Sequence, residues 1–231
     1  MKRKKKRKKQ HSAADIDTIA GRKRAYYELI WSDHGFLRVY FSNLHQISPE
    51  MWRSNQPSPK QIKAHAEDRQ IKTILNLRGV STQGYYLLER EAAQNADIDL
   101  IDYQVFSRDM PSREKILGTP DLFEKIRYPA LIHCKSGADR AGLMSTLYRI
   151  ARQNQPVSQA IEQLSFKYLH IKQGKTGILD YFFNAALQAR ADQPKDFFSW
   201  IAQEYEANTL KAAFLKETGR QIELDRLLGR E

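Results

Sequence analysis

The amino-acid sequence predicts an α/β protein, with a central, mostly parallel sheet flanked by helices and extra helices at the C-terminal end. Two observations carry this expectation. Between residues 58 and 152, short apolar runs alternate with helix-length amphipathic stretches, the rhythm of strand–helix–strand units. After Pro156 every stretch carries its apolar residues at helical spacing. A chain of 231 residues, 41% hydrophobic and 28% charged, suits one large domain or two small ones with a proper core.

The elements follow in order. Folded sequence is expected to start near Tyr26. Phe36-Leu-Arg-Val-Tyr-Phe41 and Met51-Trp-Arg-Ser54 read as short strands of an edge hairpin. Ser58 as N-cap and Pro59 as first helical residue open a helix that runs to about Arg69. Residues 71–78 form a compact apolar strand closed by Gly79. A helix over 85–95 and a strand over 98–105 come next. Residues 113–126 are helical, with interruptions at Gly118 and Pro120. Pro129-Ala-Leu-Ile-His133 is a short buried strand, and a loop containing Gly137 leads into an apolar helix over 141–152. Helical stretches are expected at 157–168, 178–190, 195–206, 207–218 and 221–229. Phe197, Trp200, Ile201 and Tyr205 form one apolar stripe, suited to packing on the preceding domain.

Composition removes several classes. No run of 18 apolar residues is present, which excludes an ordinary membrane-spanning helix. Cys134 is the single cysteine, which excludes an intrachain disulfide and a multi-cysteine metal site and fits a reducing compartment. The net charge is +11, but eight of the 38 Lys and Arg lie in residues 2–9. The remainder holds 30 cations against 27 acids, a surplus of only +3. Residues 1–25 therefore read as a basic, disordered arm, since like charges repel and little apolar area is present to order them. No apolar segment follows the arm, so it is not read as a secretory signal. It suits a solvated tail, or contact with an anionic membrane surface through Lys2 to Lys9. Nucleic acid is the weakest partner, because no base-reading module follows and only Tyr26 and Tyr27 offer stacking groups nearby.

One segment carries chemistry: Leu131-Ile-His-Cys-Lys-Ser-Gly-Ala-Asp-Arg-Ala-Gly142. A buried strand ends at Cys134, and Arg140 follows five residues on, at the start of a helix. Backbone N–H groups of Lys135, Ser136, Gly137, Ala138, Asp139 and Arg140 can turn inward as an anion nest, and the helix adds its positive end. Arg140 offers a planar fork for two phosphate oxygens. The same electropositive surroundings suit a thiolate nucleophile at Cys134, placed for in-line attack on a cradled phosphate. The competing reading, Cys134 as a small buried hydrophobe, leaves the flanking strand, glycines and arginine unexplained.

This segment resembles the His-Cys-x5-Arg signature of the cysteine-dependent protein tyrosine and dual-specificity phosphatases. Trp52-Arg-Ser-Asn-Gln-Pro-Ser-Pro59 and Ile71-Lys-Thr-Ile-Leu-Asn-Leu-Arg78 look like the N-terminal half of atypical dual-specificity phosphatases. The resemblance covers roughly 43–190 and implies the phosphatase α/β fold, no metal or cofactor, and hydrolysis of phosphate monoesters through a phosphocysteine. It implies a catalytic domain at 26–190 and a C-terminal helical extension at 191–231. The family's general acid is an Asp on a loop before the phosphate loop, and Asp109, two residues before Pro111, matches it. Asp102 is the next candidate. Cys-x-x-Gly-x-Asp-Arg is also similar to the loop of the myotubularin lipid phosphatases, so Asp139 is either a second acid or a group that orders the loop. Lys135 follows the cysteine as in several lipid phosphatases.

The chain departs from the family at Ala141, where a Ser or Thr hydroxyl usually assists breakdown of the phosphocysteine. Slow intermediate hydrolysis, or a substitute hydroxyl from Ser136, is expected. His133 is expected to orient the loop rather than act as a base, and Gln173, His170, Lys172 and Lys175 are candidates for the pocket wall. Arg53 and Arg78 are expected to form structural ion pairs first. The leading reading is a cytoplasmic phosphatase acting on phosphorylated protein. The alternatives are a phosphoinositide, inositol phosphate or lipid-linked phosphate phosphatase peripheral to the inner membrane face, or a catalytically weak phosphate-binding pseudophosphatase.

Overall fold

The computed structural model describes residues 16–227. Five short strands form one sheet: β1 (His45–Ser48), β2 (Met51–Ser54), β3 (Thr73–Asn76), β4 (Asp99–Asp102) and β5 (Ala130–His133). Their spatial order is β1-β2-β5-β3-β4, and all pairs are parallel except the β1–β2 hairpin. β3 and β5 are buried along their whole length, as central parallel strands are when helices cover both faces.

Strand alternation divides the core between the two faces. Ile74 and Leu131, paired across β3 and β5, join Ile62, Ile71, Ala93 and Ile98 on one side. Leu75 and Ile132, the next pair along, join the larger cluster on the other. Ahead of the sheet lie α1 (Ile19–Tyr27), a π-helical turn (Glu28–Ser32) and α2 (Gly35–Tyr40). α3 (Pro59–Arg69) and α4 (Gly84–Asn95) pack against each other and supply Ile62 and Ala93 to the first face. The start of α3 is fixed as expected: Ser58 and Gln61 cap each other's backbone N–H groups, and Pro59 holds the first helical position.

α5 (Arg113–Leu117) and α6 (Thr119–Lys125) lead into β5, and α7 (Asp139–Ala151) leaves its loop toward the second face. One turn of helix, α8 (Val157–Ala160), precedes α9 (Ile178–Gln188), α10 (Pro194–Gln203) and α11 (Ala207–Leu227). Phe182, Phe183, Phe197, Trp200 and Tyr205 share the core cluster that holds Ile132 and Cys134, so the C-terminal helices close the same core as the central strand. No helix among the described residues is long and apolar enough to cross a membrane.

Four expectations need correction. Residues 36–41 are not a strand: α2 occupies that stretch and β1 lies further on. A six-residue apolar run fits either element, and here the helix lets Arg38 reach back to Asp33 at 2.8 Å, both side chains buried. The arm is ordered in its last part: Ile16 and Ala25 bury against Tyr86, Leu87 and Leu88. Residues 1–15 lie outside the described residues. The helix expected over 157–168 is one turn followed by 3-10 turns at Ile161–Gln163 and Phe166–Tyr168. That tighter winding sets Gln163 and Tyr168 against Arg53. Finally, 207–227 is one helix, because Gly219 meets no neighbour and a helix-interior glycine costs only about 1 kcal/mol against alanine; residues 228 and 229 lie outside the described residues.

Candidate active site

β5 delivers Cys134 to the carboxyl end of the central strand, where parallel α/β sheets present their ligand sites. Cys134 is buried, and its Sγ accepts a hydrogen bond from the Gly137 N–H at 3.2 Å. The loop that follows is held from outside by its carbonyl groups. Lys135 O accepts from the Gln56 N–H at 3.4 Å and Ser136 O from Asn43 Nδ2 at 3.0 Å. Gly137 O and Ala138 O both accept from Arg53 Nη2, at 2.8 and 2.9 Å. In a peptide unit the N–H points opposite to its C=O. Four successive carbonyls held by these donors therefore turn the amides of residues 136–139 to the opposite side, where the Gly137 N–H meets Cys134 Sγ and the Ala138 N–H meets Ser136 Oγ at 3.4 Å.

Arg53 is the centre of that cradle. It is fully buried on β2, and Nη1 donates to Gln163 O at 2.7 Å and Gln163 Oε1 at 3.0 Å. Its guanidinium lies 4.0 Å over the Tyr168 ring. Burial lowers its pKa to about 10 against the opposing pull of Cys134, Tyr168 and Asp139, so it stays charged at neutral pH. The expectation of an ion pair was wrong in kind: Arg53 serves backbone carbonyls and lends a buried positive charge beneath the cysteine. Its one sequence signal was a cation inside a buried strand.

Gly137 has φ +75°, and a Cβ there would come within 2.7 Å of Asn55 N and the Ser54 carbonyl carbon. Only glycine lets the loop lie this close to β2. Arg140, in the first turn of α7, is half-buried, and its Nη1 reaches Leu77 O at 3.4 Å. With Phe106, Ser107, Arg108 and Asp109 it lines a cleft of about 350 Å³. The structure thus brings Asp109 and Arg140 to one cleft. Asp109 is half-exposed, and its Oδ1 pairs with Lys211 Nζ at 2.9 Å.

Other candidates fall into place differently. Both oxygens of Asp102 are occupied, by Asn76 Nδ2 at 2.7 Å and Tyr86 Oη at 2.6 Å. Asp139 pairs at 2.8 Å with His170 Nδ1, whose Nε2 meets Asp180 at 2.7 Å. Burial disfavours charge on His170, but hydrogen bonds to Asp139 and Asp180 outweigh it and raise its pKa to about 9. The imidazolium neutralises the carboxylate that would otherwise stand unpaired in the loop after Cys134. Gln173 and Lys172 line a different cavity of about 550 Å³, with Asp180, Tyr181 and Phe214. Lys175 lies on a 3-10 turn, exposed. Ser136 is exposed and Ala141 fully buried.

His133 is fully buried, with Nε2 2.6 Å from Glu89 Oε1 on α4, itself fully buried. Glu89 was missed, although an acid beside Leu87 and Leu88 on an apolar helix face was a visible signal. Arg78 behaves as expected. It grips Asp33 through two 2.8 Å bonds, donates to Gln56 Oε1 at 2.8 Å and stacks on Tyr85. Burial opposes the charge of Asp33, but Arg78, Arg38 and Lys135 outweigh it and hold the carboxyl below its ordinary range. Lys135 Nζ lies 3.5 Å from Asp33 and 3.4 Å from His34 Nδ1, which fastens the N-terminal segment to the rim of the loop.

Comparison with known proteins finds solved structures of similar fold. The structure of TpbA from P. aeruginosa superposes with a TM-score of 0.54 at 19% identity, covering 70% of this chain and 92% of that one. Its cysteine-to-serine form in complex with pTyr gives 0.53 at 18%, covering 70% and 91%. PTPMT1 gives 0.48 at 17%, covering 64% and 98%. No curated protein matches the chain at a significant level. The family model described as DSP-PTPase phosphatase fused to NAD+ Kinase matches residues 40–177, more than half of the sequence, and includes the segment from Asn43 to His170 that builds the loop and its cradle. The chain accordingly belongs to this family of dual-specificity-type phosphatases.

Proposed function

We propose that the chain hydrolyses phosphate monoesters through a phosphocysteine on Cys134. The observation that carries the reading is the outward turn of four consecutive loop carbonyls, which supports a cradle of amides around a phosphate. Arg140 and the amides of residues 136–139 hold the non-bridging oxygens and stabilise the charge that builds up on them. The Cys134 Sγ lone pair attacks phosphorus, the bond to the leaving oxygen breaks, and Asp109 gives that oxygen its proton. Water then attacks the phosphocysteine, Asp109 takes up its proton, sulfur leaves as thiolate and inorganic phosphate is released. His133, against Glu89, orients the strand end that carries the nucleophile. His170 holds the Asp139 carboxylate at the start of α7.

The leading substrate class is a phosphorylated protein side chain. One observation favours a lipid-linked phosphate instead. Trp31 and Phe36 are exposed beside His34, and His34 touches Lys135 on the loop. Together with the eight cations of residues 2–9 they suit an anionic, apolar surface.

Phosphate release by wild type, Cys134→Ser and Arg140→Ala tests the reading. The substrates are p-nitrophenyl phosphate, phosphotyrosine and phosphothreonine peptides, inositol phosphates and phosphoinositide vesicles. Release abolished in both variants is expected, and the preferred substrate separates protein from lipid. An active Cys134→Ser overturns the mechanism. Phosphate binding without turnover in wild type would make the chain a binding module.

A further inference from the structure

The loop that carries Asp109 is gripped from one side by the C-terminal helices. Tyr205 Oη donates to Pro111 O at 2.7 Å. Arg113 donates to Ala202 O at 3.2 Å, to Tyr205 O, and to Glu206 Oε1 at 2.6 Å. Lys211 Nζ meets Asp109 Oδ1 at 2.9 Å. All three grips come from residues 202–211, the end of α10, the connection after it and the first turns of α11. That corner is rigid, because Tyr205 is buried and its ring packs with Phe182 and Trp200.

The Lys211–Asp109 pair is 40% and 50% exposed on its two sides. Exposed ion pairs add little to folding, so its effect is local. Asp109 Oδ1 also accepts from the Met110 N–H at 2.9 Å. Both contacts fall on Oδ1, which leaves Oδ2 to carry a proton. In this gripped arrangement Asp109 already lines the cleft with Arg140.

We propose that Lys211 is a positioning residue for the proton-transfer step, fixing Asp109 Oδ1 so that Oδ2 faces the leaving oxygen in the Arg140 cleft. The C-terminal helices are then a working part of the catalytic apparatus. The proposal rests on Asp109 being the general acid.

Leaving-group dependence tests it, because a general acid matters most when the departing oxygen is strongly basic. Turnover of phenyl phosphate, with its basic leaving group, is compared with that of p-nitrophenyl phosphate. The proteins are wild type, Asp109→Asn, Lys211→Met, Lys211→Arg and the Asp109→Asn/Lys211→Met double variant. Asp109→Asn is expected to lose roughly 10²-fold or more on phenyl phosphate and far less on p-nitrophenyl phosphate. Lys211→Met is expected to show the same selectivity at about tenfold, Lys211→Arg to restore most of it, and the double variant to be no slower than Asp109→Asn. If Asp109→Asn shows the selectivity and Lys211→Met loses equally on both esters, loses nothing or gains, the positioning role is overturned. If Asp109→Asn itself shows no selectivity, the acid assignment falls, and the proposal falls with it for that separate, visible reason.

Discussion

The loop that follows Cys134 and the loop that carries Asp109 meet at one cleft but are held in different ways. The loop from Cys134 to Arg140 is held from beneath by buried donors, Arg53 above all, that leave little freedom. The loop carrying Asp109 is anchored at Pro111 by the buried Tyr205, but Asp109 itself is held only by a half-exposed pair with Lys211, about a hundred residues further on. An anion site needs its dipoles fixed before substrate arrives, because reorganising them during reaction would forfeit their effect. In the proposed mechanism Asp109 gives and recovers a proton within one turnover, and a half-exposed pair that water can replace permits this.

Arg53→Ala should break the contrast most severely. It strands the carbonyls of Gly137 and Gln163 in a buried site, at about 1–3 kcal/mol for each buried unpaired group, while Ala138 O keeps the Gly142 N–H at 2.8 Å. A large fall in melting temperature and a turnover loss of roughly 10²-fold or more on every ester are expected, without the leaving-group selectivity of the acid loop. Arg53→Lys supplies the charge without the fork. Wild-type turnover in Arg53→Lys would show that the fork does not hold the loop.

Ala141→Ser sharpens the comparison within the phosphate loop. The resemblance assigns the missing hydroxyl to breakdown of the phosphocysteine. Rapid-quench measurement should find phosphoenzyme accumulating in wild type, and Ala141→Ser should raise steady-state turnover severalfold. No accumulation in wild type would mean that another group does this work.

The smallest effect concerns pH. His170 has its pKa raised from 6.5 to about 9 in the folded chain, with Asp139 and Asp180 prevailing over burial. The stability it contributes is therefore complete below about 6.5 and lost as pH rises through about 9. In thermal unfolding His170→Gln should fall furthest below wild type on the acid side of that window, with the gap narrowing across it. A gap independent of pH would mean that the imidazolium is not what ties Asp139 to α9.

Legibility followed sequence distance. The placement of Cys134 at a strand end and Arg140 at a helix start was readable because strand, loop and helix start are contiguous, and the alternation of elements pointed to the sheet type. Arg53 and Glu89 were not, since each acts on the loop from far along the chain and only burial reveals it. Asp139 changed meaning through His170, which lies 31 residues on. Residues 36–41 misled because a short apolar run carries no period, and the Asp33–Arg38 pair decided the outcome.

The shared aromatic core gives the unit of folding a different length from the unit of family likeness. The family match ends at residue 177, yet Phe182, Phe183, Phe197, Trp200 and Tyr205 interlock beyond it and against the central strand's cluster. A chain cut after the matched segment would bare the inner wall of its own core and expose it to aggregation. The likeness marks out one stretch of the chain, and the packed core continues past it through the corner at Tyr205.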